Sequence, residues 1–526
     1  MSKGITRRSF LGVGTLGATG VALAGLGLVG CTPQKTNKAD SAKATSKDEV
    51  EAVAIDESSI GSTKTYDIVV VGGCSAGLSA TAAAAEEGAS VICLEKTSKP
   101  AGAGTYYGFI NTDLLTRNGV EPVDEDKYAR DLIEAALGAT NPKLVRTFVG
   151  NSASVGNWLE GVAKAADSEL KFSNAMGSEN TACFDDDTPG KSAYDTLTKY
   201  ASSKGAEFAY ESEAVQLDKD DSGRIVSVVV RNGDGTYTRY AANKGVVLAT
   251  GGFNGNSAMM DKYIPWVDQE TLAIMSPIHA TGNTGDGITM SKAVGATIPK
   301  APMCPMIHFI QGAMPVAGTL YVNGAGRRFM DEGTSMEVAA QIVMRQPGHT
   351  MYQISDAKPS GMALMMQTMG AAGASDSASA GDHGPSSGMA NDKSPTFDTL
   401  EELAASLDMD PDILASTVNR FNELVAKGTD EDFNSDFSTA VSIDTPPFKA
   451  VETPPCMLAA MGGPQIDETM AVLDENYAPI PGLYATGNCA GGFYGPNYPM
   501  QVQSGLARAF SVVSGYLASK NALASA

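Results

Sequence analysis

Residues 66–77 read Tyr-Asp-Ile-Val-Val-Val-Gly-Gly-Cys-Ser-Ala-Gly, and residues 90–95 read Ser-Val-Ile-Cys-Leu-Glu. This pattern predicts an apolar strand, a glycine-rich turn, an alanine-rich helix and a second apolar strand that ends at an acid. Gly72 permits the tight turn, Gly77 lets the helix pack closely on the strand, and the start of the helix offers free N–H groups to a pyrophosphate. Glu95 lies roughly 20 residues further on, where its carboxylate can accept both hydroxyls of an adenosine ribose. The stretch therefore predicts a dinucleotide site.

One residue departs from the usual form of this motif. The middle glycine of G-x-G-x-x-G is Cys74, so a β-carbon stands where backbone usually meets phosphate. The strand–turn–helix–strand context still favours nucleotide binding over an ordinary glycine-rich turn. The predicted elements are a strand at 66–71, a helix at 78–87 and a strand at 90–94.

Charge and cysteine usage exclude several classes of function. The chain has 526 residues and a formal net charge of −22, which argues against binding to nucleic acid. It contains seven cysteines, none of them in a C-x-x-C or C-x-x-C-H pattern. The sequence therefore gives no sign of an attached haem, an iron–sulfur cluster or a zinc site. Electrons for a redox reaction would have to come from a separate protein.

Residues 1–31 read as an export signal and not as part of the fold. Thr6–Leu11 has the twin-arginine pattern, and an apolar stretch follows it. Leu28-Val29-Gly30-Cys31 resembles a lipobox, which would leave Cys31 acylated; simple cleavage and an uncleaved anchor are the alternatives. Residues 32–64 have the composition of a flexible tether. We expect an extracytoplasmic lipoprotein that touches the membrane only through Cys31.

The rest of the chain predicts an α/β fold in three parts. Residues 65–298 and 449–526 carry the pattern of one discontinuous nucleotide-binding domain, and residues 299–448 form an inserted α+β domain. Lys244–Gly252 is a fully apolar strand that stops at two glycines, as a central parallel strand does. Residues 370–395 read as a surface loop. Further strands are predicted at 207–217, 225–231, 236–240, 307–310 and 319–322, and helices at 126–137, 142–158, 284–293, 335–344, 400–406, 411–426 and 504–517.

Several motifs together resemble the flavoprotein subunit of the fumarate reductase/succinate dehydrogenase superfamily. Within it the chain is similar to the exported flavocytochrome c and urocanate reductase branch, without the haem domain. The resemblance implies FAD bound across a discontinuous Rossmann-like domain, with the inserted domain as a mobile cap that supplies catalytic residues. It rests on the dinucleotide motif and on five further segments: Ala-Thr-Gly-Gly-Phe at 249–253, Thr-Gly-Asp-Gly at 284–287, Val-Asn-Gly-Ala-Gly-Arg-Arg-Phe at 322–329, Met-Gly-Gly at 461–463 and Pro-Gly-Leu-Tyr-Ala-Thr-Gly-Asn at 481–488.

The resemblance also implies the contacts of the cofactor. Val215 would reach the adenine through its backbone, and Ser504 would lie by the pyrimidine end of the isoalloxazine. Some members attach FAD to a histidine, but residues 101–108 contain none, so a non-covalent FAD is expected. The implied cofactor-binding residues are Gly72, Cys74, Ser75, Ala76, Gly77, Glu95, Lys96, Ala103, Gly104, Gly108, Val215, Asp286, Asn488 and Ser504.

Three residues are implied to be catalytic. In the family, hydride passes from the reduced flavin N5 to one carbon of a polarised C=C bond while an arginine protonates the other carbon; the resemblance assigns that role to Arg328. A guanidinium with a pKa above ~12 is an unusual acid, and an ion pair with Glu332 or a phosphate contact is the alternative. His308 would bind or polarise the substrate, or it is a satisfied core residue. Tyr498 stands where ketosteroid dehydrogenases carry a tyrosine that assists enolisation, or it is a packing residue.

Three departures from the family argue against fumarate as the substrate. The relay acid and arginine align with Gly312 and Pro315, Leu458-Ala459-Ala460 lacks the usual histidine, and a carboxylate-binding arginine becomes Tyr498. A dicarboxylate needs opposing cationic donors, because a buried unpaired carboxylate is costly. A bulky, less charged, aromatic or polycyclic substrate is favoured by the apolar neighbours Met303, Cys304, Met306, Phe309, Phe493 and Tyr494.

The resulting prediction is an exported FAD-dependent oxidoreductase. It would reduce an activated C=C bond of a small unsaturated organic molecule, with electrons from an external donor protein. One alternative is a ketosteroid-type dehydrogenase that runs in the opposite direction. Another is a flavin-carrying electron-transfer lipoprotein that has lost catalysis.

Overall fold

The computed structural model describes residues 54–525, except 101, 103, 174–179, 187, 268–275, 278–281, 310–314 and 359–393. The export signal with Cys31, most of the tether, Ala103, Gly312 and most of the predicted surface loop at 370–395 lie outside the described residues. Within the described ranges, no helix is both long enough and apolar enough to cross a membrane.

Strands and helices follow one another along the chain as the α/β prediction requires. The strands are β1 (Ile60–Val71), β2 (Val91–Leu94), β3 (Tyr106–Tyr107), β4 (Lys171–Ser173), β5 (Thr181–Cys183), β6 (Glu207–Ala209), β7 (Ser212–Lys219), β8 (Ile225–Asn232), β9 (Tyr237–Leu248), β10 (Ser276–Pro277), β11 (Cys304–His308), β12 (Leu320–Asn323), β13 (Met351–Ser355), β14 (Thr396–Phe397), β15 (Phe448–Thr453), β16 (Cys456–Met461), β17 (Ala471–Leu473) and β18 (Pro479–Ala485). The helices are α1 (Ser75–Glu86), α2 (Asp113–Arg117), α3 (Glu125–Ala135), α4 (Pro142–Ala165), α5 (Ala193–Ser203), α6 (Ser257–Tyr263), α7 (Asp286–Ala293), α8 (Met336–Val343), α9 (Leu400–Ser406), α10 (Pro411–Lys427) and α11 (Leu506–Ala524).

The central sheet is the Rossmann-like part of the fold. Its described strand order is β17-β18-β9-β1-β2-β6, and β8 and β7 extend it from β9. β1 runs parallel to β2 and to β9, and β18 runs parallel to β9. Val69 lies opposite Ile92 on one side and Val246 on the other, and all three side chains are buried. Because both faces of the sheet are covered, these strands are continuously apolar.

The first strand begins earlier than the sequence predicted. Residues 60–65, assigned almost entirely to the flexible tether, belong to β1 and pair with residues 237–241 of β9. The tether prediction is therefore wrong for its last residues. The Ser, Thr and Lys side chains of this segment are all exposed. Its pairing therefore depends on backbone hydrogen bonds, which a search for apolar residues does not detect.

The inserted domain has its own sheet and core. β12, β13, β15 and β14 form an antiparallel sheet in that order. Its buried cluster includes Leu320, Val322, Leu403 and Phe421, which joins the sheet to α9 and α10. β15 extends past the predicted domain boundary at 448, so the sheet of the inserted domain ends later than predicted. β11 instead pairs with β16, the strand that returns toward the central sheet.

Candidate active site

The turn after β1 needs glycine at two positions. Gly72 has a φ of +109°, and a β-carbon there would lie 2.3 Å from the carbonyl oxygen of Ala249. A β-carbon at Gly77 would lie 1.8 Å from the carbonyl oxygen of Gly72. Both distances are far below a tolerable contact. The two glycines therefore allow α1 to start directly at the ends of β1 and β9, as the sequence predicted.

Cys74, the departure from the motif, leaves the start of α1 open. It is the N-cap residue of α1, but its side chain makes no capping hydrogen bond to the helix. The thiol instead donates to the carbonyl oxygen of Ala249, with a sulfur–oxygen distance of 3.2 Å. Ser75 and Ala76, which begin α1, are buried beside it. The N–H groups of the first turn thus remain available to an anion.

Glu95 lies beside the glycine-rich turn. Its Oε2 accepts a hydrogen bond from the backbone N–H of Gly73 at 2.7 Å, and its Oε1 accepts from the N–H and the hydroxyl of Thr97 at 2.8 Å each. The carboxylate is therefore fixed at the end of β2, where a ribose is expected. Next to it, Lys96 pairs with Asp286 at 2.8 Å, which joins two predicted cofactor residues from distant parts of the chain.

The segment on either side of β3 is in direct contact with the start of α11. The N–H of Gly108 donates to the carbonyl oxygen of Gly505 at 2.9 Å. A β-carbon at Gly108 would lie 2.1 Å from the carbonyl oxygen of Ser504. The segment around β3 and the start of α11 therefore meet through backbone atoms. Gly104 lies further back, in the loop before β3, against the side chain of Arg508.

Of the other predicted cofactor residues, Val215 lies at an irregularity of its strand and Asn488 has a buried polar atom without a partner. The register between β7 and β8 passes from Ala214 to Gln216 and skips Val215, so its backbone is not part of that ladder. The Oδ1 atom of Asn488 is buried and has no hydrogen-bond partner. A buried unpaired acceptor is costly, and both groups stand where the dinucleotide is expected. They fit a bound cofactor.

A second polar cluster lies where the inserted domain meets the start of α11; we call it the chamber, formed by Cys304, His308, Glu337, Tyr494 and Tyr498. His308 Nε2 makes a very short contact with Oε1 of Glu337, and the His308 and Tyr498 ring centroids are 6.3 Å apart. Oε2 of Glu337 and the hydroxyl of Tyr494 are buried without hydrogen-bond partners. The chamber thus contains polar groups that the protein itself leaves unsatisfied.

Tyr498 is buried, and its hydroxyl oxygen accepts a hydrogen bond from the N–H of Ala507 at 3.0 Å. This bond satisfies one of the free N–H groups at the start of α11. Burial raises the pKa of Tyr498, and the charge of Glu337 raises it further, while the Ala507 N–H opposes the shift. The phenol therefore keeps its proton, and its hydrogen is free to be donated into the chamber.

Arg328 lies elsewhere in the inserted domain, between two carboxylates. It donates to both oxygens of Glu332 at 2.9 and 2.7 Å and to both oxygens of Asp430 at 2.9 and 2.8 Å. The rings of Phe433 and Phe437 lie over its guanidinium at 4.9 and 5.3 Å. The ion pair with Glu332, which the sequence offered as the alternative to catalysis, is present.

The two carboxylates respond differently to this environment. Burial is the main cause that raises the pKa of Glu332, in spite of its bonds to Arg328. Burial also acts to raise the pKa of Asp430, but hydrogen bonds from Arg328 and from the N–H groups of Ser435 and Asp432 outweigh it and lower that pKa to about 2. Burial acts to lower the pKa of Arg328, but its bonds to both acids outweigh that and raise it. Such a guanidinium is a poor proton donor.

Comparison with known proteins identifies the fold and its cofactor. The family described as FAD binding domain matches residues 67–503. The probable fumarate reductase Ifc3 of Shewanella frigidimarina is 30% identical over 478 residues, which cover 88% of this chain and 75% of that protein. The chain belongs to the fumarate reductase/succinate dehydrogenase flavoprotein superfamily. This flavoprotein is therefore an FAD-dependent oxidoreductase that acts on CH–CH bonds.

Two further relatives support this assignment. The vinyl phenol reductase of Lactiplantibacillus plantarum is 26% identical over 470 residues, covering 82% of this chain and 92% of that protein. The open conformation of a flavocytochrome c3 fumarate reductase superposes with a TM-score of 0.67 at 29% identity, over 88% of this chain and 78% of that chain. The predicted fold, a discontinuous FAD-binding domain with an inserted cap, is confirmed.

Two site residues of the flavoprotein were not predicted from the sequence. Glu337 is 29 positions from His308, and nothing in the local pattern connects an acid on a predicted helix to a histidine on a predicted strand. Arg508 did leave a signal, because it is the single charged residue between Tyr498 and Ser519. A lone charge in an apolar helix that packs on the nucleotide motif is a candidate ligand contact.

Proposed function

We propose that this flavoprotein reduces the C=C bond of a bulky, uncharged, conjugated substrate, and that fumarate is a poor substrate. The observation that carries this proposal is the buried carboxylate of Glu337, whose Oε2 atom lacks a partner in the chamber. A dicarboxylate would meet a negative charge where it needs cations, and an unpaired buried carboxylate is costly. The same conclusion is supported by Pro315, by the segment Leu458-Ala459-Ala460 and by Tyr498, which stand where the family resemblance implies polar or basic groups.

The chamber residues supply a proton and a hydrogen bond. The bound FAD supplies the hydride. Glu337 contacts Nε2 of His308 and so fixes the orientation of the imidazole. Tyr498 keeps its phenolic hydrogen and can donate it to a carbonyl or phenol oxygen of the substrate. We therefore assign the proton transfer to His308, with Glu337 as a positioning residue, and we assign a structural role to Arg328.

Reoxidation of the reduced flavin tests this proposal. The protein is photoreduced without oxygen and mixed with fumarate, with 4-vinylphenol or with an α,β-unsaturated ketone. At least one neutral alkene should reoxidise the flavin about tenfold faster than fumarate, equivalent to about 1.4 kcal/mol of discrimination. Equal or faster reoxidation by fumarate contradicts the proposal. Turnover only with saturated ketones and an added dye supports the dehydrogenase alternative, and no reoxidation by any organic compound supports the electron-transfer alternative.

We further propose that the FAD is held without a covalent bond and that it is reduced by an external donor protein. The absence of histidine from residues 101–108 supports the first statement, and the absence of a C-x-x-C-H motif supports the second.

We propose that the protein is exported by the twin-arginine route and anchored through Cys31. The sequence pattern of residues 6–11 and 28–31 supports this. Cys31→Ser is expected to move the protein from the membrane fraction to the soluble fraction of the cells that make it, because the acyl chains would be lost. Cys183→Ser serves as the matched control and should not change the distribution. Unchanged membrane association of Cys31→Ser would rule out the acyl anchor.

A further inference from the structure

Arg508 is a buried cation that the reaction does not use. It lies at the start of α11 with 6% of its surface exposed. Its Nη2 donates to the hydroxyl of Tyr107, but Nε and Nη1 are buried and have no hydrogen-bond partner. Among the described residues, no carboxylate forms an ion pair with Arg508, whereas Arg328 has two such pairs. The charge of Asp186 acts on the guanidinium from beyond ion-pair distance, so no contacting carboxylate neutralises Arg508.

A buried guanidinium without a contacting anion is costly, because its hydration is lost and not replaced. The rings of Tyr107 and Tyr194 lie over it at 4.4 and 5.4 Å and recover part of that cost. Ring contacts do not satisfy the two free N–H-bearing nitrogens. Arg508 therefore has a positive charge and unused hydrogen-bond donors, which are the properties of an anion-binding residue.

The position of Arg508 indicates which anion it binds. Gly515, two turns further along α11, packs so closely on α1 that a β-carbon there would lie 2.2 Å from the carbonyl oxygen of Ala76. Ser519, one turn after Gly515, donates to the carbonyl oxygen of Ala80, so the two helices run in the same direction. Residues seven apart share a face of a helix, so Arg508 lies on that face beyond the first residue of α1. A β-carbon at Gly104, in the loop before β3, would lie 3.3 Å from Cδ of Arg508.

A second, independent feature at the same place also attracts negative charge. α1 has twelve residues, no side-chain cap at Cys74 and no acid in its first turn. Its positive end and its free N–H groups are therefore uncovered. Ser75 in this first turn lies close enough to Tyr107 and Tyr194 to influence both phenols, as Arg508 does. The helix end and the guanidinium thus share one neighbourhood.

We propose that Arg508 binds the pyrophosphate of FAD, so that α11 supplies a cation to the negative charge of the pyrophosphate. The pyrophosphate would satisfy the free nitrogens of Arg508 and the open N–H groups of α1 together. Tyr107 and Tyr194 would hold the guanidinium in place from its other sides. This proposal does not depend on which substrate the chamber accepts.

Binding of flavins to the full-length apoprotein tests this proposal. The dissociation constants of FAD and of riboflavin, which carries the ring and ribityl chain without phosphate, are measured by quenching of flavin fluorescence. Arg508→Gln should weaken FAD binding by about 10- to 100-fold, the range for a lost charge-assisted hydrogen bond, and should change riboflavin binding by less than about twofold. Arg508→Lys keeps the charge and should show a smaller loss for FAD.

The melting temperature of each apoprotein separates binding from folding. A structural role predicts that Arg508→Gln lowers the melting temperature and weakens FAD and riboflavin equally. That result, or an unchanged affinity for FAD, would overturn the proposal. If Arg508→Gln does not fold, Arg508→Lys decides the question: a selective loss of FAD affinity supports the pyrophosphate contact, and equal changes for both flavins overturn it.

Discussion

Glu337→Gln is expected to slow reoxidation of the reduced flavin by the alkene substrate by about 100-fold, the lower end of the range for a lost acid–base group. Glutamine has nearly the same shape as glutamate, but it lacks the carboxylate that faces Nε2 of His308. The contact between His308 and Glu337 joins β11 to α8, so the imidazole should stay near its position while its proton becomes less available. Stopped-flow absorbance of the flavin measures the rate.

Gln341→Ala is the matched control for this substitution. Gln341 lies one turn further along α8 and donates to Asn497 at 2.5 Å, so it too joins the inserted domain to the segment before α11. Its removal should leave the reoxidation rate within about threefold of the unsubstituted protein. The dependence of the rate on alkene concentration adds a second readout, because Glu337→Gln should lower the limiting rate and leave the half-saturating concentration nearly unchanged. A Glu337→Gln protein that is reoxidised at the full rate would exclude the assignment to His308 and Glu337.

Arg328→Met is expected to lower the free energy of unfolding by about 3–5 kcal/mol, the typical result of removing one partner from a buried ion pair. The side chains of Glu332 and Asp430 are fully buried, so the substitution leaves two carboxylates without their cation. Chemical denaturation followed by flavin fluorescence and circular dichroism measures the loss. Arg420→Met, which removes a half-exposed arginine with three carboxylate neighbours on α10 and the loop after it, should cost less than about 1 kcal/mol.

The pH dependence of stability supplies a second signature of the Arg328 cluster. The pKa of Asp430 in the folded protein is about 2, below its value in the unfolded chain. Its contribution is therefore present above about pH 4 and is lost as the pH falls toward 2. The Arg328→Met protein should lose less stability over this acid range than the unsubstituted protein.

Arg328→Lys distinguishes this structural role from proton donation. Lysine keeps the charge between Glu332 and Asp430, so part of the protein should remain folded with FAD bound. We expect the rate of reoxidation per bound flavin to be largely retained in that fraction. Near-native stability combined with a rate reduced by 100-fold or more would instead restore Arg328 as the acid.

Local patterns predicted the elements that build the cofactor site. The apolar run before Gly72, the small residues of α1 and the acid at Glu95 specify a strand, a turn, a helix and a carboxylate beside the turn, within about thirty residues. Each of these depends on neighbours in sequence. Helices such as α9 and α10 were also predicted closely, since Thr399 and Asp410 cap them with their own side chains.

Element boundaries failed where the sheet overrides the local pattern. The predicted strand at 207–217 is two strands, β6 and β7, because Glu211 has a φ of +52° and turns the chain. The predicted strands at 236–240 and 244–252 are instead one strand, β9, since β1 pairs with it along almost its whole length. In both cases the partner strand, which the sequence does not reveal, sets the limits.

The sequence by itself determined the flavoprotein fold and the glycine-rich turn at the start of α1. Tertiary structure alone decided which charged groups are paired. Asp430 reaches Arg328 from 102 positions away, and Glu337 reaches His308 across two elements. Arg508 reaches Tyr107 from 401 positions away. A charged side chain can act as a proton donor, as part of a structural ion pair or as a ligand contact, and its buried neighbours decide which. Those neighbours are brought together by packing between distant segments.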